Sequence, residues 1–359
     1  MRKKNTKLSF HILLLNLILS FSCQETQFAD IKVQEKSNTT SNDKAVCVNG
    51  TLVPVQEVFF QENANKSKVD ILWVVDNSGS MSNEQEALAN NFEIFINDFI
   101  DRNLDFNMAV TTTGKIIGSS TDSSAYQSDD RYKIGETYYF VDYGIMEGDA
   151  SLLTSDAAFS DRNQFINNFK SIIQVGTNGS GKESGLKSSL LFLERNELWG
   201  RDDAYLTIVY ISDEEDSSGN SVTSYIDQIK LLKDNPDKIK AYSIVKKVIA
   251  SQFETLGTRY ELATSLTNGE TADIDKDFST TLKNFADSIL NLIDSFSLSD
   301  SPFNNKVTVK VNGTSVSSGW SYSVKNNALS FIKGSIPKEG SRIEVNYQKC
   351  LPNASEVAQ

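Results

Sequence analysis

Three oxygen-bearing side chains stand at alternate positions directly after an uninterrupted apolar run. Residues 71–75 are apolar and β-branched at three of five positions, and Asp76, Ser78 and Ser80 follow them. Such a run is typical of a strand that is buried on both faces of a parallel sheet. In an open α/β sheet, ligands bind at the carboxyl ends of the strands. One carboxylate and two hydroxyls are hard oxygen donors, so the pattern predicts Mg²⁺ there, with Mn²⁺ or Ca²⁺ as alternatives.

The segment 76–80, Asp-Asn-Ser-Gly-Ser, resembles the Asp-x-Ser-x-Ser motif of the metal-ion-dependent adhesion site in von Willebrand factor type A domains. The resemblance covers roughly residues 68–297. It implies that a threonine from a Gly-rich loop and an aspartate at the end of a later strand complete the metal site. Thr177 and Asp213 occupy those places. The resemblance also implies that the metal keeps an open position for an Asp or Glu carboxylate of a partner protein.

Two other interpretations compete with this one. Ser80 or Ser82 could instead cap the helix that follows the strand. Residues 176–182 fit the G-x-x-x-x-G-K phosphate loop, but that loop continues with a Ser or Thr for Mg²⁺, and Glu183 stands here. A carboxylate would repel phosphates, so no nucleotide site is predicted. Glu183 is expected to begin a helix at 183–194, where an acid favours the helix N-terminus, and no ligand role is assigned to it.

The elements that must position these residues form an α/β fold. Buried-strand and amphipathic-helix patterns alternate over residues 67–298, which predicts a mainly parallel, doubly wound sheet with helices on both faces. The type A resemblance implies the same Rossmann-like architecture. Residues 302–349 alternate with period two and predict a small antiparallel β domain. The first helix is predicted at 83–100, and its apolar stripe consists of Leu88, Phe92, Phe95, Ile96 and Phe99.

Several segments carry more local expectations. Residues 114–150 are too long for an ordinary connection, so they either overhang the metal or form a poorly ordered insertion, with one extra strand at 138–141. The acids at 214–216 are expected in a solvated loop, and the alternative is that they raise the affinity for the metal. The last helix of the α/β part is expected at 280–296. Asn49-Gly50 is a hairpin signal, and the strand pattern beside it could pair with either domain.

The N-terminus carries a targeting signal. Residues 1–22 combine four basic residues, no acidic ones and a short apolar core, as in a signal peptide. Small residues before Cys23 resemble the lipobox of bacterial lipoproteins, which implies an acylated Cys23, a lipid anchor such as palmitate, and a place in the bacterial cell envelope. The alternative is an ordinary signal peptide with a structural Cys23. Residues 23–66 are then a polar tether followed by an N-terminal arm.

Cysteine and histidine content limit the chemistry. In an exported protein, Cys47 and Cys350 are expected to form a disulfide rather than two free thiols. His11 is the one histidine of the chain and lies in the predicted signal peptide. Nucleophilic Ser-His and Cys-His systems and His-ligated metal hydrolases are therefore excluded from the mature chain. The sequence predicts no enzyme.

The net charge limits the kind of partner that the protein can bind. The chain carries 35 basic and 47 acidic residues, a formal charge of −12. Removing residues 1–22 leaves 31 basic residues against 47 acidic ones. This balance disfavours nucleic acid as a partner. The favoured function is a lipid-anchored protein, periplasmic or surface-exposed, that binds a partner protein through its metal. The alternative is an envelope scaffold with a structural metal, and a Mg²⁺-dependent hydrolase is the least favoured.

Overall fold

The computed structural model describes residues 47, 50–61, 68–122, 131–249, 255–324, 326–332 and 334–352. The predicted signal peptide, the lipidation site Cys23 and most of the tether lie outside the described residues. Within the described ranges, no helix is long and apolar enough to cross a membrane.

The elements alternate as the sequence predicts, with additional strands near the middle and at both ends. The helices are α1 (Ser82–Asp101), α2 (Ser155–Ser160), α3 (Arg162–Ile173), α4 (Gly185–Arg195), α5 (Val222–Leu231), α6 (Thr258–Leu266) and α7 (Phe278–Ile293). The strands are β1 (Gly50–Phe60), β2 (Lys68–Val75), β3 (Asp105–Thr112), β4 (Lys115–Ser120), β5 (Arg131–Ile134), β6 (Thr137–Asp142), β7 (Met146–Glu147), β8 (Tyr205–Ser212), β9 (Ile239–Val245), β10 (Thr271–Asp273), β11 (Ser295–Ser297), β12 (Val307–Val311), β13 (Thr314–Val316), β14 (Trp320–Ser323), β15 (Ala328–Phe331) and β16 (Arg342–Pro352).

The central sheet has six strands in the order β10-β9-β8-β2-β3-β7. All neighbouring pairs are parallel except β3 and the short edge strand β7. Numbered by their appearance within the sheet, the strands follow the 3-2-1-4-5-6 order of doubly wound folds, whose chain reverses direction between the first and fourth strands. That switch point lies between β2 and β8. The predicted α/β class is confirmed.

Apolar side chains of β2 alternate between two cores. Ile71, Trp73 and Val75 join the core formed with α1, α3 and α7, whereas Leu72 and Val74 join the core formed with α4, α5 and α6. Helices on both faces therefore bury the strand completely, which explains its uninterrupted apolar sequence. The predicted stripe of α1 is buried throughout, and its rings surround Trp73.

The small β region contains two sheets with a shared apolar cluster. One sheet has the order β1-β16-β12-β13 and the other β11-β15-β14. The arm contributes β1, which pairs with β16 along its whole length, and the predicted disulfide between Cys47 and Cys350 is confirmed. Gly50 marks no hairpin; a Cβ there would lie 2.7 Å from Cys47 Sγ, so the glycine permits a close approach.

The structure differs from the sequence prediction at the end of α7 and in the number of strands within residues 114–150. The last helix ends at Ile293 rather than at 296, because Phe296 joins β11 and packs 5.3 Å from Phe59, ring centre to ring centre. Residues 114–150 contain a three-stranded antiparallel sheet in the order β4-β6-β5, and then β7. The single strand predicted at 138–141 is thus the middle one of three. Its neighbours are short and mixed in polarity, which hid them from a search for apolar runs.

Candidate metal centre

Asp76 ends β2 at the switch point of the sheet. Its backbone N–H continues the ladder by donating to Ile211 O at 2.9 Å. Its side chain is fully buried, at 0 % exposure. Oδ1 accepts from the backbone N–H of Ser78 at 2.7 Å, and Oδ2 accepts from Ser212 Oγ at 2.6 Å. The carboxylate is therefore held in one orientation by the next loop and by β8.

The hydroxyls of Ser78 and Ser80 lie 3.2 Å apart on the same turn. Neither caps the following helix: the N-cap of α1 is Met81, and no side chain completes that cap. The capping interpretation is thus wrong for both Ser80 and Ser82. Because neither hydroxyl caps a helix, both remain available beside Asp76 as oxygen ligands for a cation.

The Gly-rich loop that contains Thr177 is tied to this turn at two places. Gln85 Nε2 on α1 donates to the carbonyls of Asp76 and Gly176, both at 2.9 Å, and its Oε1 accepts from the N–H of Gly176. On the other side of Thr177, the N–H of Gly179 donates to Asn77 O at 2.8 Å. Thr177 is half-buried, and among the described residues its hydroxyl has no hydrogen-bond partner. The loop geometry therefore brings a free hydroxyl next to the Asp76 turn.

Asp213 follows β8, the neighbour of β2 across the switch point. Its Oδ1 is buried and has no hydrogen-bond partner in the described part of the chain. Burial is the main cause of the raised pKa values of Asp76, Glu84 and Glu214, and the charge of Asp213 raises all three further. The structure thus brings residues from all three predicted segments to one edge of the sheet.

Glu183 also enters this site, although the sequence analysis assigned it no ligand role. Helix α4 begins at Gly185, so Glu183 precedes the helix rather than opening it. The segment is held by two backbone bonds: the N–H of Ser184 donates to Thr113 O, and the N–H of Ser217 donates to Glu183 O. The side chain is fully buried, and its Oε2 accepts a hydrogen bond from Thr113 Oγ1. Its other oxygen, Oε1, has no hydrogen-bond partner in the part of the chain that the structure describes.

Burial and mutual repulsion dominate the electrostatics. Burial, followed by the charge of the adjacent Asp76 carboxyl, raises the pKa of Glu183 to about 10, against the lowering effect of its bond from Thr113. Burial also raises the pKa of Asp76, against the lowering effect of its bonds from Ser212 and Ser78. Neither acid forms an ion pair with a Lys or Arg side chain of the described residues. Buried carboxylates without a cation are costly, so the pair requires a shared proton or a bound cation.

The opposite end of β2 supplies an internal comparison. Asp70 is also fully buried, but Arg201 faces it, with Nε 2.9 Å from Asp70 Oδ1 and the backbone N–H 2.7 Å from Oδ2. Arg201 also binds Asp105. Here the chain provides its own cation for a buried aspartate. At Asp76 it provides hydroxyls, other acids and orphaned oxygen atoms, which is the donor set that a divalent cation requires. The residues present fit such an ion.

The acids after Asp213 are structural rather than solvated. Glu215 caps α6 by accepting from the N–H groups of Thr258 and Arg259 at 3.2 and 2.9 Å. Asp216 is buried, accepts from the N–H of Leu186 in α4 and pairs with Arg259 Nε at 2.9 Å. The loop after β8 is therefore fixed to two helices. The expectation of a solvated acidic loop is wrong for these two residues.

Sequence reasoning missed Gln85, Ser212 and Glu183. Gln85 occupies a buried position on the apolar face of α1, one turn before Leu88, and a polar residue there was a usable signal. Ser212 and Glu183 gave no local signal, because their roles depend on contacts with Asp76 from distant parts of the chain. Within the described residues, no group of three or more His, Cys, Asp or Glu side chains is arranged to hold a metal. The predicted set differs from such a group because three of its five members are hydroxyls.

No family model matches the chain, and no curated protein matches it. Among solved structures, it is similar to proximal thread matrix protein 1 from the mussel byssus with a zinc-occupied MIDAS motif, at 14% identity over 67% of this chain and 48% of that one, with a TM-score of 0.38. It is also similar to the pilus adhesin SpaC from Lactobacillus rhamnosus GG in its open conformation, at 14% identity over 86% of this chain and 42% of that one, with a TM-score of 0.38. The chain thus spans less than half the length of either protein. TM-scores this low establish no shared function, and the site is judged on its own geometry.

Proposed function

We propose that this protein binds a partner protein through a divalent cation held by Asp76, Ser78, Ser80, Thr177 and Asp213. The observation that carries the proposal is the buried Asp76 carboxylate, which lies at the switch point of the sheet and pairs with no Lys or Arg of the described residues. Loops from three parts of the chain surround it with hydroxyl and carboxylate oxygens. Mg²⁺ is the expected ion, with Mn²⁺ or Ca²⁺ as alternatives, because all the donors are hard oxygens.

The expected partner presents an Asp or Glu side chain. A bound cation would supply an electrophilic centre with exchangeable positions for such a carboxylate. The protein's own residues orient the contact: Ser212 and the Ser78 N–H hold the Asp76 carboxylate, and Gln85 holds the Gly-rich loop. The inserted sheet β4-β6-β5 leaves β3 at this edge, where the N–H of Ser180 donates to Gly114 O at 3.1 Å. Its proposed role is to add contacts that select among partners.

A lipid anchor at Cys23 would attach this binding domain to the bacterial cell envelope. This part of the proposal rests on the sequence alone. Cys23→Ser should move the protein from the membrane fraction to the soluble fraction. An unchanged fractionation, or a mature N-terminus elsewhere by mass spectrometry, would refute the anchor without affecting the metal site.

Metal binding is tested by titrating Mg²⁺ into the exported domain and measuring heat. Asp76→Ala should abolish the binding isotherm while cooperative unfolding is retained. Asp156→Ala, which removes an exposed aspartate from α2, is the matched control and should bind like the parent. If the parent itself gives no isotherm with Mg²⁺, Mn²⁺ or Ca²⁺, the proposed function is wrong.

Partner binding is tested by cross-linking and capture from cell envelopes with and without EDTA. A partner that requires the cation and is lost with Asp76→Ala supports binding through the metal. A partner that binds equally in EDTA favours the alternative, an envelope scaffold with a structural metal.

A further inference from the structure

Glu183 is a fully buried carboxyl group that the rest of the protein does not neutralise. Thr113 Oγ1 donates to Oε2, which satisfies one oxygen, while Oε1 is buried and has no hydrogen-bond partner among the described residues. No Lys or Arg side chain among the described residues pairs with it. An unpaired buried polar atom costs about 1–3 kcal/mol, and more for a charged group. The burial of this side chain therefore requires a compensating interaction.

Stabilisation of the N-terminus of α4 is not that compensating interaction. Glu183 lies two residues before α4, and Ser184 occupies the N-cap position without a side-chain cap. The N–H groups at the start of α4 are bound by other residues: Asp216 Oδ1 accepts from Leu186, and Ser218 Oγ accepts from Lys187. Thr113 Oγ1, which donates to Glu183, also lies 3.4 Å from Asn77 Oδ1, so the Glu183 carboxyl is buried beside the turn that follows Asp76.

We propose that Glu183 is itself a ligand of the cation at this centre, entering from the segment between the Gly-rich loop and α4. The inference rests on the proposed function, since it assigns a further residue to the same ion. It places two carboxylates, Asp76 and Glu183, next to the ion, with Asp213 acting through water. The orphaned Oε1 is the coordinating atom, while the bond from Thr113 fixes the other oxygen and hence the orientation of the group.

The segment from Thr177 to Glu183 then contributes a carboxylate as well as a hydroxyl to the site. Two adjacent carboxylates balance the charge of a divalent ion within the protein. Such a set satisfies Ca²⁺ and Mn²⁺ as well as Mg²⁺, because all three accept carboxylate oxygen and Ca²⁺ takes six to eight oxygen ligands.

Three variants test the inference by calorimetric titration with Mn²⁺ and Ca²⁺ and by thermal unfolding in EDTA. Glu183→Gln should weaken ion binding about 10- to 100-fold, the range found when a supporting group at a metal site is removed. Glu183→Asp keeps the charge but withdraws the carboxyl by one methylene, so it should also weaken binding at least about 10-fold. Glu194→Gln, an exposed change at the far end of α4, is the control and should bind like the parent.

The outcomes separate the two proposals. If the parent binds, Asp76→Ala does not, and both Glu183 variants bind like the parent, Glu183 is no ligand although the centre exists. If Glu183→Asp binds normally and only Glu183→Gln is weakened, Glu183 acts by charge from a distance and the ligand assignment is wrong. Unfolding in EDTA guards against a folding defect: Glu183→Gln should keep the parent's midpoint, because the amide has nearly the shape of the carboxyl. Glu183→Asp removes a buried methylene and should lower the midpoint, so its binding is measured at a temperature where it remains folded. If no variant and no parent binds any ion, the proposed function itself has failed.

Discussion

The stability of the metal-free protein should fall as the pH rises from 6 to 8. Burial and the neighbouring Asp76 charge raise the pKa of Glu183 from 4.5 to about 10. A glutamate in the unfolded chain is ionised throughout this pH interval, whereas the folded Asp76–Glu183 pair retains one proton. The folded state thus binds one proton more than the unfolded state, and the free energy of unfolding decreases by about 1.4 kcal/mol per pH unit. Between pH 6 and 8 the loss amounts to about 3 kcal/mol.

The pH dependence contributed by Glu183 is confined between its pKa values in the unfolded and folded states. Below pH 4.5 the group is protonated in both states and contributes no pH dependence. Above about pH 10 it is ionised in both states and again contributes none, but the folded protein then carries the full repulsion. No histidine of the described residues titrates between these limits, since His11 lies outside them. Burial also raises the pKa of Glu84 and Glu214, so the part of the slope that is lost in Glu183→Gln is the part assigned to this pair.

Urea unfolding in EDTA at pH 6, 7 and 8 measures the effect, with the free energy taken from the midpoint and slope of each transition. The parent should lose stability steadily, and Glu183→Gln should lose most of that dependence. Saturating Mg²⁺ should flatten the parent's profile, because a bound cation replaces the proton. Glu194→Gln should keep the slope of the parent. A flat or rising profile for the parent in EDTA would show that the two acids are not buried together, which would refute the electrostatic description of the site.

Three further changes test the surrounding structure. Cys47→Ser opens a link between residues 303 apart in sequence and should cost up to about 6 kcal/mol of unfolding free energy by the chain-entropy model, measured in urea without reductant. Gly179→Ala places a Cβ 2.2 Å from Asn77 Oδ1, so it should destabilise by about 1–3 kcal/mol and weaken Mg²⁺ binding. Gly181→Ala meets no atom within 4 Å and should change neither quantity. Asp216→Ala leaves its guanidinium partner on α6 without a counter-charge and should lower the unfolding free energy by about 3 kcal/mol; a loss below 1 kcal/mol would show that the pair is unimportant.

The elements that the sequence predicted best are those whose pattern is local and strong. The stripe of α1 and the apolar run of β2 each specify both their secondary structure and their burial, because a 3.6-residue period and a continuous apolar run have few other solutions. The strand-end position of Asp76 followed directly, since the polar triplet interrupts that run. The pairing of Cys47 with Cys350 could be predicted from compartment and count.

The remaining features depend on contacts that span the chain. Glu183 stands before a helix, and the rule for acids at helix starts gave a sufficient local explanation. Only the fold shows that the helix begins later and that the side chain is buried beside the turn that follows Asp76. Glu215 and Asp216 likewise resemble a charged loop until α6 and α4 are placed beside them. No pattern in the arm indicated that β1 pairs with β16, because the partner strand lies at the far end of the sequence.

The number of acids around the centre determines what partner it can accept. If Asp76 and Glu183 balance the charge of the ion, a partner's carboxylate adds a net negative charge to a site whose surroundings already include Glu84 and Glu214. The cation can still exchange a water for that carboxylate, but the added charge needs compensation from outside this chain. We therefore expect the partner to present one Asp or Glu with Lys or Arg beside it, so that its basic groups face Glu84 and Glu214. Contacts of this kind are screened by salt and mainly set the association rate. A partner that binds through the metal should accordingly associate more slowly as ionic strength rises, whereas a scaffold contact that avoids this edge should not.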